Sequence, residues 1–149
     1  MSTISIILTT YNSETWLEKV LWGYTMQSYT NFELIIADDG STTETKNIIE
    51  KFQTKFQNPI IHVWQKDEGF QKTKILNKAI IKASCEYILF SDGDCIPRYD
   101  FVATHIKNKK KGCFLSGGYF KLNDFVSNSI SEIDIKNQSC FQSKWLLEN

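Results

Sequence analysis

Two carboxylates stand one residue apart at the end of an apolar run. The segment EYILF, residues 86–90, is followed by SDGDC, which places Asp92 and Asp94 on either side of Gly93. Asp and Gly are common turn residues, so a turn is the simplest interpretation. The same residues suit Mg²⁺ or Mn²⁺, which typically take one or two carboxylates and complete their shell with phosphate oxygens and water. The pair alone is a weak signal of a metal site. The choice between a turn and a metal site depends on the strands and helices that position the pair.

Strand-like and helix-like segments alternate along the first two thirds of the chain. The β-branched, apolar run ISIILTT is typical of a strand buried on both faces. The predicted strands are 4–10, 32–37, 59–65 and 86–90. The predicted helices are 13–27, 41–56, 72–83 and 100–107, the second opening with a capping box formed by STTE at 41–44. A fifth strand is predicted at 113–120, followed by a loop and a short helix near Gln142.

This alternation implies an α/β fold with a Rossmann-like, mostly parallel sheet flanked by helices. Ligands in such sheets bind beyond the carboxyl ends of the strands, where the strand order reverses. If the order is 3-2-1-4, strands one and four are neighbours at that point. The segments TTYNS and SDGD, which follow them, are then expected in one ligand crevice.

The bulk composition narrows the function classes. The 149 residues suit one domain, and 17 basic residues balance 17 acidic ones, so charge gives no argument for nucleic acid or an anionic membrane. No apolar run approaches a membrane span and no signal peptide is visible, so we expect a cytoplasmic protein, peripheral to the membrane's inner face at most. The four cysteines lack metal-binding spacing and are expected to be free and mostly buried. Nothing in the sequence predicts an oligomeric state.

A nucleotide is the usual ligand of such a crevice, but the common phosphate-binding loops are absent. The turn after the first strand reads TTYNSE, with no GxGxxG and no GxxxxGK[ST]. Backbone amides of a glycine loop therefore cannot neutralise a diphosphate there. A metal held by Asp92 and Asp94 would do so, and Gly93 between them permits close approach of a ligand.

Further candidates follow the other strands. Asp39 could accept the imide N–H of a uracil ring, whereas turn chemistry is the better interpretation of Asp38. Tyr11 suits either stacking on a base or a place in the core, with little to choose between them. Lys72 and Lys74 begin the third helix, where they either meet phosphate or form a solvated charged face.

Together, these stretches resemble the inverting family-2 glycosyltransferases of the GT-A type fold. The segments that carry the resemblance are ISIILTTYNSE, ELIIADDGSTTET, GFQKTKILNKAI and LFSDGDCIP; the last two are also similar to β-1,4-galactosyltransferases and chondroitin polymerase type enzymes. The resemblance implies transfer of a sugar, with inversion, from a UDP-sugar to a saccharide acceptor in polysaccharide or cell-envelope synthesis. It implies Mn²⁺ or Mg²⁺ on Asp92 and Asp94. The donor-binding residues that it implies are Thr10, Tyr11, Asp39, Lys72, Lys74, Asn77, Asp92, Gly93 and Asp94.

The sequence departs from this family at the catalytic base. Inverting transfer needs a carboxylate that deprotonates the acceptor hydroxyl, and in the family it lies in an acidic pair well beyond the DxD. The late acids here, Glu132, Asp134 and Glu148, do not sit in that pattern. We therefore expect a donor-binding domain over 1–120, an incomplete acceptor-side region over 121–149, and a base that lies beyond Asn149.

Two alternative functions remain. A non-catalytic nucleotide-binding module would keep the donor site and lack the base. A sugar nucleotidyltransferase is less favoured, since such enzymes usually carry a glycine-rich, basic loop where this chain has TTYNSE.

Overall fold

A computed structural model of the chain describes residues 3–148, apart from the side chain of Glu148. The chain forms two compact units, the first from 1–18 and 30–95 and the second from 19–29 and 96–149. The first unit contains a four-stranded sheet in the order β3-β2-β1-β4, with every neighbouring pair parallel. The strands are β1 Ser5–Thr10, β2 Glu33–Asp38, β3 Ile60–Trp64 and β4 Ile88–Asp92. The predicted α/β fold and its strand order 3-2-1-4 are confirmed.

The sheet is stable because apolar side chains cover its two central strands. All six residues of β2 are buried, as are five of the six residues of β1. Ile7 and Ile35 pack in one cluster with Ile75 and Ala79 of the third helix. Burying apolar surface in this way is the main favourable contribution to folding.

Three helices connect the strands, namely α1 Glu14–Thr25, α2 Thr43–Phe52 and α3 Lys72–Lys82. A 3-10 turn at Gln53–Lys55 follows α2, so helical structure continues almost to the predicted end of this helix near residue 56. The predicted capping box at 41–44 is wrong. Thr42 is the N-cap of α2 and makes no side-chain capping bond, because its hydroxyl instead donates to the Glu44 carboxylate. The Ser41 hydroxyl accepts from the backbone N–H of Asn12.

Short helices dominate the second unit. They are α4 Phe101–Asn108, α5 Asp124–Ser129, α6 Glu132–Lys136 and α7 Ser143–Glu148, with a 3-10 turn at Ser139–Phe141. The predicted helices at 100–107 and near Gln142 are confirmed, while α5 and α6 were not predicted. Both are so short that their sequence carries little periodicity, and local caps from Asn123 and Ser131 begin them.

The predicted strand at 113–120 is wrong. These residues carry no strand pairing, and every one of them is exposed. An apolar, aromatic run becomes a strand only where a neighbouring strand takes up its backbone hydrogen bonds. In the described part of the chain, the sheet consists of β1 to β4 alone, and 113–120 pairs with none of them.

Two expectations from composition are also resolved. All four cysteines are free thiols, but only Cys140 is buried and Cys113 is exposed, so the expectation of mostly buried thiols is wrong. Between residues 3 and 148, none of the helices combines the length and the apolar character that crossing a bilayer would need.

Candidate functional site

The strand register brings the polar ends of the sheet together. Thr10 pairs with Asp38, Asp38 pairs with Trp64, and Thr9 pairs with Asp92. Each parallel strand therefore ends at the same edge. The turns that follow β1, β2 and β4 surround one cleft.

This cleft has a volume of about 440 Å³, within the usual range for small-molecule sites. Its lining is formed entirely by residues of the first unit: Thr9, Thr10, Tyr11, Ser13, Ala37, Asp39, Gly69, Phe70, Lys72, Ile75, Asp92, Gly93 and Asp94. Seven of the nine predicted donor-binding residues are among them. Lys74 and Asn77 are not: Lys74 forms an ion pair of 3.3 Å with Glu68, and Asn77 lies exposed on α3.

Asp39 is a buried acceptor at the floor of the cleft. The residue is only 7% exposed, and its carboxylate accepts hydrogen bonds from Gln65 Nε2 at 2.6 Å and from the Gln71 backbone N–H at 2.8 Å. These two donors reach different carboxylate oxygens, so they fix the plane of the group. A carboxylate has about four acceptor positions, which leaves capacity for a ligand donor.

Asp38 has a structural role, as its position in a turn predicted. Its carboxylate accepts from the Ser41 backbone N–H and contacts His62 Nε2, each at 2.8 Å. Burial acts to raise the pKa of Asp38, but the hydrogen bonds from His62 and Ser41 outweigh it and hold the pKa below its ordinary value. This network holds the turn that presents Asp39.

Tyr11 lies at the mouth of the cleft and not in the core. Its side chain is half exposed, and its hydroxyl donates a 2.9 Å hydrogen bond to Asp67. That hydrogen bond to an ionised carboxylate raises the pKa of Tyr11, so the phenol stays protonated. The bond fixes one end of the ring and leaves an aromatic surface at the cleft, as a stacking contact requires.

The carboxylate pair occupies the turn after β4. Oδ1 of Asp92 accepts from Lys72 Nζ at 2.6 Å and from Thr9 Oγ1 at 2.8 Å. The bond from Lys72 is the main reason that the pKa of Asp92 lies below its ordinary value. Gly93 packs so closely on β1 that a Cβ there would lie 2.5 Å from the Thr9 carbonyl oxygen. The turn can therefore hold Asp94 beside Asp92 only with glycine between them.

The chemistry of this group fits a hard divalent cation. Ligand atoms of Asp92, Asp94 and Cys95 all lie within 4.8 Å of one another. Burial, followed by the charge of Asp94, raises the pKa of the Cys95 thiol to about 11. Sulfur is also a soft ligand, whereas Mg²⁺ and Mn²⁺ prefer oxygen. The two carboxylates are the effective donors, and the ammonium of Lys72 already occupies a cation position on one of them.

Several contributors to the cleft were not predicted from the sequence. Gln65 and Asp67 follow β3 and orient Asp39 and Tyr11, and Thr9 bonds to Asp92. Two buried oxygen atoms here, Oγ1 of Thr10 and Oε1 of Gln65, have no hydrogen-bond partner among the described residues. Gln65 is the polar last residue of the predicted third strand, and this was the available signal, since polar residues at the ends of the other strands were selected on that basis.

The late acids are engaged locally in the second unit. Glu132 forms an ion pair with Lys136 at 2.6 Å. Asp134 accepts from the backbone N–H and the hydroxyl of Ser131, the N-cap of α6, and these bonds lower its pKa. The side chain of Glu148 lies outside the described residues.

Comparison with known proteins places this geometry in a family. The profile described as "Glycosyl transferase family 2" matches residues 5–131. Glycosyltransferase GlyA of Streptococcus pneumoniae is 28% identical over 123 residues, which are 81% of this chain and 17% of GlyA. Poly(ribitol-phosphate) beta-N-acetylglucosaminyltransferase TarS of Staphylococcus aureus is 33% identical over 96 residues, 63% of this chain and 16% of TarS.

A solved structure agrees in fold as well as sequence. The crystal structure of S. aureus TarS 1-349 in complex with UDP superposes with a TM-score of 0.65 and 28% identity, covering 70% of this chain and 31% of that one. The chain thus spans less than a third of each of these relatives. The profile match extends over most of its length and includes every residue that lines the cleft. The chain belongs to glycosyl transferase family 2.

Proposed function

We propose that this chain forms the nucleotide-sugar-binding part of a metal-dependent glycosyltransferase. The donor is a UDP-sugar, the acceptor is a saccharide or glycan, and transfer proceeds with inversion. Residues 1–120 provide the donor site and 121–149 begin the acceptor side. The observation that carries this proposal is the juxtaposition, in one cleft, of a buried carboxylate acceptor, Asp39, with the carboxylate pair Asp92 and Asp94.

The base and the diphosphate of a UDP-sugar each have matching groups in the cleft. The half-exposed ring of Tyr11 offers a surface for the base, and Asp39 offers an acceptor for its imide N–H. Asp92 and Asp94 would hold Mn²⁺ or Mg²⁺, and Lys72 adds a positive charge where the diphosphate lies. When bound, the cation supplies Lewis-acid stabilisation of the departing diphosphate. The crystal structure of S. aureus TarS 1-349 in complex with UDP supports the choice of nucleotide.

The chain's own groups bind and orient the donor. Gln65 and the Gln71 backbone N–H aim the Asp39 carboxylate, so it meets the base without rearrangement. Gly93 lets the loop lie against β1, which keeps Asp92 and Asp94 at the edge of the sheet. We keep Lys74 and Asn77 as predicted neighbours of the sugar, although neither lines the cleft in this conformation.

Calorimetric titration of UDP with and without Mn²⁺ tests the proposal. We expect measurable binding with Mn²⁺, and binding at least tenfold weaker in the presence of a chelator. Asp94→Asn should remove most of that metal dependence. Asp124→Asn is the matched control, since Asp124 is exposed at the start of α5 and outside the cleft. Equal UDP affinity with metal and with chelator would refute the metal role.

A further inference from the structure

The ammonium of Lys72 lies where a metal would compete with it. Lys72 is the first residue of α3, and its Nζ is 2.6 Å from Asp92 Oδ1. The Thr9 hydroxyl donates to the same oxygen, so Asp92 Oδ1 accepts hydrogen bonds from both Lys72 and Thr9. In this conformation, one half of the carboxylate pair is therefore neutralised by a cation that belongs to the protein itself.

A divalent cation and this ammonium cannot share Asp92 without cost. Both are positive, and two cations held on one carboxylate repel each other strongly at such distances. The ion pair is also partly open to solvent, with 40% of the Lys72 side chain and 54% of the Asp92 side chain exposed. Pairs of this kind are weak and exchange readily, so Lys72 can be displaced without disturbing the fold.

The cleft also offers Lys72 a second place. Lys72 itself lines the cleft, and its four-carbon stem lets the ammonium turn about the start of α3. A diphosphate beside Asp92 and Asp94 presents negative oxygens to that ammonium. Lysine at a helix start is a suitable phosphate partner, since the backbone N–H groups there add to its positive charge.

We propose that Lys72 is a displaceable internal cation: it holds Asp92 while the donor site is empty, and it passes to the diphosphate when a divalent metal takes its place. This inference rests on the proposed function and deepens it. It means that metal and nucleotide bind as a coupled pair, because the diphosphate gives Lys72 a new partner at the moment the metal removes the old one.

The coupling has consequences that can be measured without turnover. Metal alone should bind the wild-type protein weakly, and UDP should raise that metal affinity, with the reciprocal effect of metal on UDP of the same size. Lys72→Gln removes the competing charge. It should bind Mn²⁺ alone about three- to tenfold more tightly than the wild type does, yet bind UDP with Mn²⁺ more weakly. The factor by which UDP raises the Mn²⁺ affinity should therefore be smaller in Lys72→Gln than in the wild type.

The test is titration of Mn²⁺, followed by electron paramagnetic resonance, with and without saturating UDP. Lys72→Arg keeps a cation on Asp92 and should behave like the wild type with Mn²⁺ alone. Lys82→Gln is the matched control, because Lys82 is an exposed lysine at the other end of α3. Thermal melting of each variant verifies that it is folded.

The outcomes separate this inference from the proposed function. Tighter binding of Mn²⁺ alone by Lys72→Gln, with weaker binding of UDP, supports the displacement. Unchanged or weaker Mn²⁺ binding by that variant, in a wild type that shows metal-dependent UDP binding, overturns the displacement and leaves the donor site standing. If neither the wild type nor Lys72→Gln binds Mn²⁺, with or without UDP, both proposals fail.

Discussion

The side-chain amide of Gln65 donates a 2.6 Å hydrogen bond to the carboxylate of Asp39. Gln65 is buried, and its own Oε1 finds no hydrogen-bond partner within the described part of the chain. A buried acceptor without a partner costs free energy, so Gln65 is not arranged to maximise stability. Its effect is to hold Asp39 in one orientation, in which we propose that a remaining acceptor position meets the base of the donor. A uracil N–H satisfies such an acceptor, whereas the corresponding ring nitrogen of cytosine carries no proton.

We predict that Gln65→Leu weakens UDP binding by roughly tenfold, because a hydrogen bond to a charged group contributes about 1.5–3 kcal/mol and part of it is recovered by relaxation. The preference for UDP over CDP should narrow as Asp39 loses its fixed orientation. The melting temperature should fall only slightly, since removal of the unpartnered oxygen offsets part of the cost of leaving the buried Asp39 carboxylate with one donor fewer. Calorimetry with both nucleotides and thermal melting measure these effects.

Gln57→Leu serves as the control for this substitution, because Gln57 is exposed and lies outside the cleft. An unaltered ratio of UDP to CDP affinity in Gln65→Leu would show that Gln65 does not position the base acceptor. Loss of UDP binding together with a large drop in melting temperature would show a structural role instead.

The sheet could be predicted because its information is local and periodic. Four apolar runs separated by helical patterns leave few topologies for a chain of this length, and one of them is the observed order. The cleft followed from the same reasoning, since Tyr11, Asp39 and Asp92 were selected as the polar residues that end strands.

The contacts within the cleft could not be predicted in this way. That Lys72 reaches Asp92 depends on how α3 crosses the sheet, and that Gln65 reaches Asp39 depends on the register of β3 against β2. At 113–120 the error is of the other kind, since a strand was predicted there and none forms. The composition of this segment is typical of a strand, but pairing is a property of two segments and cannot be read from one.

Gly93→Ala should destabilise the fold and weaken metal-dependent UDP binding together. The added Cβ would lie 2.5 Å from the Thr9 carbonyl oxygen, which also accepts the Gly93 N–H at 2.8 Å. Because backbone atoms cannot move aside cheaply, we expect a loss of about 1–3 kcal/mol in the free energy of unfolding. Urea denaturation measures it.

The matched control for that substitution is Gly117→Ala. A Cβ at Gly117 would meet no atom within 4 Å, so its free energy of unfolding should change by less than about 0.5 kcal/mol. Equal stability of the two variants would contradict the close packing of the Gly93 turn on β1.

Glu33 gives a pH-dependent contribution to stability at the opposite end of β2 from the cleft. The buried carboxylate accepts from the Ser5 hydroxyl at 2.6 Å, and from the Ser84 N–H at 2.6 Å and hydroxyl at 2.7 Å. Burial acts to raise the pKa of Glu33, but these hydrogen bonds outweigh it and the pKa lies below its ordinary value. The ionised form therefore stabilises the fold above the unfolded pKa of about 4.3, and this stabilisation is lost as the pH falls through the lower folded pKa.

Glu33→Gln should accordingly cost about 1–3 kcal/mol at pH 7 and progressively less below about pH 4. Urea denaturation at pH 3, 5 and 7 checks this, with Glu50→Gln as the control, since Glu50 is an exposed acid on α2. A cost that does not change with pH would show that the hydrogen bonds do not depend on the charge of Glu33.

The 149-residue chain should bind the donor but transfer little sugar to an acceptor. The acids that line the cleft are Asp39, Asp92 and Asp94, and the donor occupies each of them in the proposed complex. Asp134 is engaged in capping α6, and its lowered pKa makes it a weaker base. A general base contributes about 10²–10⁴-fold to the rate, so without one the glycoside yield should be small. Slow hydrolysis of the donor can persist, because water needs no acceptor site.

Radiolabelled UDP-sugar, Mn²⁺ and a panel of saccharide acceptors test this expectation. Donor hydrolysis without glycoside formation is the expected result, and binding without either reaction would favour a non-catalytic nucleotide-binding module. If the purified chain forms glycoside efficiently, the base lies within it, and Glu132→Gln and Asp134→Asn become the decisive variants. Asp134→Asn must then be read against its melting temperature, because it also weakens the capping bonds that Ser131 donates to this side chain, whereas Glu132→Gln removes only the ion pair with Lys136. A folded Glu132→Gln protein that no longer transfers sugar would identify Glu132 as the base and overturn the prediction.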